Sequence, residues 1–152
     1  MYVKVIDGSV KAFPYDASSL MKDNPNTSFP EQMSDEVLAR FNVYPVIAKE
    51  VPQSFDPITQ NAVVVKPVLV DGLWTQAWSV SAASSTEVEQ RLSNLASDVR
   101  ETRSSLLAQT DWTQVADAPV DKAVWATYRQ ALRDITKQSG FPTNVTWPIK
   151  PE

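Results

Sequence analysis

The 152-residue sequence has no cysteine and no histidine. Without cysteine there is no disulfide, no thiolate nucleophile and no thiolate metal ligand, and a reducing compartment is expected. Without histidine the commonest metal ligand and the commonest acid–base group at neutral pH are both missing. Glycine is scarce, at three residues, so each is expected to mark a backbone position that requires it. No apolar run approaches the ~20 residues needed to cross a bilayer, and no basic segment with an apolar run opens the sequence, so neither a membrane span nor a signal peptide is expected. The formal net charge of −4 argues against an electrostatic grip on nucleic acid. Carboxylates are plentiful but form no defensible pair, and there is no nucleophile elbow, phosphate loop or metal-ligand spacing. No catalytic residue, metal or cofactor is therefore expected, and an enzyme is the least supported class.

What the chain does have is 43% hydrophobic residues, five tryptophans and 11 prolines. That suffices for one domain, or for two small modules sharing a core. Two of the glycines lie in Asp-Gly pairs between strand-like runs, Asp7-Gly8 and Asp71-Gly72, the strongest short signal for a β-hairpin. Counting outward from the first turn puts Val3 opposite Ala12, Val5 opposite Val10 and Lys4 opposite Lys11. Counting from the second puts Leu69 opposite Trp74 and Val65 opposite Trp78, an aromatic–aliphatic face expected to be the core of the sheet. Pro67 cannot donate to a ladder, which places its strand at an edge or at a bulge. Between the hairpins, Asn24 to Pro30 is expected to be a turn-rich loop. Ser34 is positioned to cap a short helix carrying Val37, Leu38 and Phe41 inward, and "VYPVIAKEV" is expected to be a strand interrupted by Pro45.

From Ser84 the period changes. Ser84 with Glu87 forms a capping box, and Val88, Leu92, Leu95, Val99 and Leu106 recur at steps of four and three, with Thr102 in the remaining place. This predicts a helix to about Gln109. The stripe suits either packing within the chain, on a partner helix and the sheet, or a self-associating coiled coil. A second helix is expected after Asp117 and Pro119, with Val120, Val124, Tyr128, Ala131 and Ile135 as its apolar stripe and Gly140 as its C-terminal cap. In "SGFPTNVTWPIKPE", Pro142, Pro148 and Pro151 oppose regular structure, which predicts an extended, stiffened segment. Such a segment loses little conformational entropy on docking, with Trp147 as its anchor, either back onto the helices or into a partner.

Trp125, Tyr128, Arg129 and Arg133 share a helical spacing. They read either as core aromatics with arginines paired to Asp111 or Asp117, or as an exposed aromatic–arginine patch of the kind enriched at binding hot spots. Asp111-Trp112 opens the loop between the helices.

The last third of the chain, "RSSLLAQTDWTQVADAPVDKAVWATYRQALRDITKQSGFPTNVTWPIKP", resembles the C-terminal domain of bacteriophage tail assembly chaperone-like proteins. The resemblance rests on Arg103, Leu106 and Leu107, Asp111 and Trp112, Trp125, Tyr128 to Ile135, Gly140 to Pro142, and Trp147 and Pro148. The N-terminal stretches "DNPNTSFP" and "LVDGLWTQAW" are similar to the leading region of small tail proteins. The resemblance implies a chaperone for tail assembly, or a module appended to a tail-fibre polypeptide.

Together these readings predict an α+β protein: a small antiparallel sheet of β-hairpins with a short helix over 1–83, a helical hairpin over 84–139 and an extended tail over 140–152. The expected role is to bind a tail-fibre polypeptide in the bacterial host cytoplasm during assembly. The alternative is a permanent component of the tail fibre or baseplate in the virion. Trp112, Trp125, Tyr128, Arg129, Arg133 and Trp147 are the candidate partner-binding residues. Val88, Leu92, Leu95, Val99 and Leu106 are candidates for helix packing or self-association, and hence for a homo-oligomer.

Overall fold

A computed structural model describes residues 1–152. The chain divides into two compact units, Met1–Ala82 and Ala83–Glu152. All the strands fall in the first and both long helices in the second, giving an α+β protein whose strands precede its helices.

In the first unit, β1 (Tyr2–Ile6), β2 (Ser9–Tyr15) and β3 (Val43–Pro45) form an antiparallel sheet in the order β2-β1-β3. Asp7 and Gly8 both take positive φ, 50° and 72°, the primed turn that matches strand twist. Val5 faces Val10 as expected, but Lys4 faces Ala12 and Tyr2 faces Tyr15. Two register shifts thus replace the expected Val3–Ala12 and Lys4–Lys11 pairs. Pro14 has no N–H for the ladder, so β2 leaves regular pairing near it. Val3, on β1, is fully buried.

A helix the sequence reading missed, α1 (Ala17–Asp23), is capped by Asp16, whose Oδ1 accepts the Ser19 N–H at 2.8 Å. Helix α2 (Asp35–Ala39) is capped by Ser34 as expected, and Asn42 turns the chain after it at φ 58°. Tyr15, Leu20, Leu38 and Val43 form the core of this unit, with Phe29, Met33 and Phe41 packed against it. Val37 is only half-buried. The expected strand through "VYPVIAKEV" is only three residues long, followed by a single bridge from Ile47 to Thr75.

Strands β4 (Gln60–Val70) and β5 (Leu73–Ala82) form a separate two-stranded ribbon around the Asp71-Gly72 turn, again with both φ positive. Leu69 faces Trp74 as expected. Trp78 faces Val64 rather than Val65, because β4 carries one extra residue between Val65 and Val68, where Pro67 sits. The expectation that this face is the core is overturned: Leu69 is 58% exposed. Trp74 and Trp78 are half-buried, and Trp78 Nε1 donates to the Lys49 carbonyl at 2.8 Å. The buried cluster lies instead on the three-stranded sheet, where α1 and α2 supply a second layer.

In the second unit, α3 (Ser85–Gln109) starts at a complete Ser84–Glu87 capping box. Helix α4 (Lys122–Arg133) starts later than expected, at the Asp121 cap, and continues into a 3-10 turn, Asp134–Lys137. Its buried stripe is Trp125, Tyr128, Leu132 and Ile135 rather than one through Val120, Val124 and Ala131. Val124 is 48% exposed. Val99 joins this core, and Leu106, Leu107, Val120, Phe141, Val145 and Trp147 pack against it. Leu92 and Leu95 are half-buried and lie outside the cluster. At 1.5 Å per residue, α3 is about 37 Å long and α4 about 18 Å, so the shorter helix covers only part of the longer one. No helix is long and apolar enough to cross a membrane.

Candidate partner-binding surface

The link between α3 and α4 is built around one arginine. Arg129 is 6% exposed. Its Nη1 donates to the Leu107 carbonyl and to Thr110 Oγ1, both at 2.7 Å. Its Nη2 donates to Asp111 Oδ1 at 2.7 Å, while Nε has no partner. The last carbonyls of a helix have no partner within it. Here Arg129 takes that of Leu107, and the Thr110 hydroxyl lies 2.9 Å from the Leu106 oxygen and 3.0 Å from that of Leu107. Thr113, fully buried, donates its hydroxyl to the Thr110 carbonyl at 2.7 Å. These bonds hold the 3-10 turn Asp111–Gln114 against the end of α3.

That turn carries Trp112 outward. Its ring is 51% exposed, yet its centroid lies 6.0 Å from that of buried Trp125. Trp125 in turn meets Tyr128 edge-on at 5.9 Å. The three rings form a continuous aromatic path from surface to core, so the exposed ring is backed by rigid structure. Val115, Val124 and Ile149 are also exposed, Ile149 at 94%. Val124, Thr127, Tyr128 and Ala131 on α4 line a groove of about 330 Å³ with Pro148, Ile149 and Pro151.

Residues after Lys137 form no helix or strand. The Gln138 side chain brackets Thr146, donating to its carbonyl at 2.8 Å and accepting its N–H at 2.7 Å. Phe141 lies under the Arg100 guanidinium, 5.3 Å from ring centroid to Cζ. Gly140 is not the expected left-handed cap; positive φ among the glycines is confined to Gly8 and Gly72. Its role is close approach: the Asn144 N–H donates to its carbonyl at 2.7 Å, and a Cβ there would collide with the Asn144 carbonyl oxygen.

Among the residues predicted for partner binding, Trp112 and Arg133 face solvent. Trp125, Tyr128 and Arg129 are interior, and Trp147 is half-buried against the core. The exposed patch containing all of Trp125, Tyr128, Arg129 and Arg133 is thus not formed, because the first three lie on the inward stripe of α4. Val115, Val124 and Ile149 were missed as surface residues; apolar residues read as core unless their helical phase is known. No three acidic side chains converge in a way that could hold a metal ion. The Asp134 carboxyl is held below its ordinary pKa by hydrogen bonds from Lys137 and then Gln130.

The helical unit thus combines a buried arginine at the link between its helices with a half-exposed Trp112 packed on the buried Trp125. Residues 96–152 match the family model of phage tail assembly chaperone proteins, so the resemblance read from the sequence is shown over that stretch. The match spans 57 of the 152 residues. No curated protein and no solved structure matches the chain.

Proposed function

We propose that this protein is a tail-fibre assembly chaperone that binds the fibre polypeptide in the bacterial host cytoplasm. The observation that carries this reading is Trp112, half-exposed and backed by Trp125, in the region that matches the chaperone family. Large aromatics held rigidly at a surface dominate binding energy at small cost in side-chain entropy. Val115, Val124 and Ile149 add further exposed apolar surface to the same unit. Immature fibre subunits expose apolar surface and strand edges before they assemble, and such a patch would cover them until they do.

The test is co-expression with the neighbouring tail-fibre protein, followed by co-purification. Co-purification with the intact chain and its loss on Trp112→Ala support the reading. Failure of the intact chain to retain the fibre protein overturns it. Identifying the bands of purified virions separates the transient role from a permanent one: absence supports the chaperone, and stoichiometric presence makes the protein a structural component.

A further inference from the structure

In the first unit a cavity of about 190 Å³ opens where β1, β3, α2 and the loop before α2 meet. Burial grades across it. Leu38 and Val43, 5% and 2% exposed, form its floor. Tyr2 and Met33 are half-buried and form its walls, and the exposed Asp16 and Glu31 stand at its mouth. The depth of the cavity is therefore apolar and its entrance carries two carboxylates. Neither carboxylate is in an ion pair within the chain. Asp16 Oδ1 accepts from the Ser18 hydroxyl and from the Ser19 N–H, both at 2.8 Å, which fixes the orientation of that carboxylate. Lys4 shares the β1 face with Tyr2, but its ammonium lies over the Tyr15 ring, 5.6 Å from the centroid, and does not line the cavity.

Size and charge together define what fits. Sites for cofactors and drug-sized ligands run from roughly 300 to 1,000 Å³, so this cavity has room for one large side chain rather than a cofactor. A lysine entering alone would carry its ammonium down to the apolar floor, where an unpaired charge is costly. The cation must instead sit beside an apolar side chain, at the level of the two carboxylates. The chain's own exposed pair of this kind, Ile149 and Lys150, is followed by the acidic Glu152, which an acidic mouth disfavours. We propose that this cavity is a docking site for a basic segment of a partner polypeptide: a leucine-sized apolar side chain fills the floor over Leu38 and Val43, and a flanking lysine or arginine meets Asp16 and Glu31 at the mouth. The site lies in the first unit and does not depend on the Trp112 surface or on the tail-fibre reading.

The experiment is an NMR titration of the full chain with the peptide acetyl-Lys-Leu-Lys-amide, following the methyl groups of Met33, Leu38 and Val43. Saturable shifts at these methyls are expected. Acetyl-Lys-Gly-Lys-amide, which lacks the apolar side chain, and acetyl-Glu-Leu-Glu-amide, which reverses the charge, should each bind at least about tenfold more weakly. Glu31→Gln alters an exposed side chain, and Asp16→Asn keeps an oxygen to cap α1, so both variants should fold, which far-UV circular dichroism verifies. Each is expected to weaken the basic peptide about two- to fivefold, as for a solvent-exposed charge pair. The absence of saturable shifts overturns the proposal. So does equal binding of the acidic peptide, which would make the cavity apolar without preference for charge, or unchanged binding in both variants. Tighter binding of a peptide of residues 146–152 than of the basic peptide would make the occupant a copy of this chain and also overturns it.

Discussion

Arg129 Nη2 lies 2.7 Å from Asp111 Oδ1, a contact that joins α4 to the turn following α3 across 18 positions of sequence. The two partners differ sharply in environment, with side chains 8% and 69% exposed respectively. The energetic weight therefore falls on the arginine and on the buried carbonyl and hydroxyl it serves, rather than on the exposed carboxylate. Arg129→Ala is expected to lower the stability of the helical unit by about 3 kcal/mol, whereas Asp111→Asn should cost less than about 1 kcal/mol. Chemical denaturation of both variants checks this; equal losses would mean that the ion pair itself, not the carbonyl contacts, carries the effect.

Trp112 separates recognition from folding. Its ring is half-exposed and packs on Trp125, so Trp112→Ala is expected to cost about 1 kcal/mol of stability or less. Its effect on retention of the tail-fibre protein should be far larger, at least tenfold in affinity, as for a hot-spot aromatic. Thermal melting alongside titration of the partner distinguishes the two.

Leu132 and Leu92 test how far the helical core extends. Leu132 is fully buried and Leu92 is half-buried outside the cluster. Leu132→Ala is expected to destabilise by about 2–5 kcal/mol and Leu92→Ala by less than half as much. Comparable losses in denaturant titrations would show that the first turns of α3 are packed as tightly as the inward face of α4.

Gly140→Ala should be destabilising although the φ there is not positive. The added methyl meets backbone, the Asn144 carbonyl oxygen, which cannot swing aside as a side-chain end would. The expected cost is about 1–3 kcal/mol, as for other overpacked sites. Amide hydrogen exchange should show the loss of protection concentrated at the Asn144 N–H, which bonds to Gly140.

Asp16 predicts a pH effect of definite sign. Hydrogen bonds from Ser19, backbone first, and then Ser18 hold its folded-state pKa below the ordinary 3.8. A lowered pKa contributes stability that is fully present above the unfolded-state value and is lost as pH falls through the folded-state value. Asp16→Asn keeps a capping oxygen but does not titrate. Acid titrations of the two proteins should run in parallel near neutrality and diverge only below about pH 4, with the wild type losing relative stability. Divergence beginning near neutrality would exclude this carboxyl as the cause.

Local chemistry was legible at most places where a residue acts on its immediate neighbours, the Asp16 cap of α1 being an exception. The two Asp-Gly turns, the Ser34 and Ser84 caps, the run of α3 to Gln109 and the break at Pro67 all follow from constraints a few residues long. The chaperone resemblance was legible for the same reason, since its residues lie at fixed spacing in one continuous stretch. Which face of each element is buried was decided only by tertiary structure. A one-residue change of register at Pro67 moved Trp78 from Val65 to Val64, and the packing of α4 through Trp125, Tyr128 and Leu132 left Val124 outward and Arg129 inward. Alternation and helical periodicity specify that a face exists, not what covers it. The sheet with helices α1 and α2 behind it became a core, while the more apolar β4–β5 ribbon, without such a layer, did not. Burial requires a second surface, and only the folded chain determines which surfaces meet.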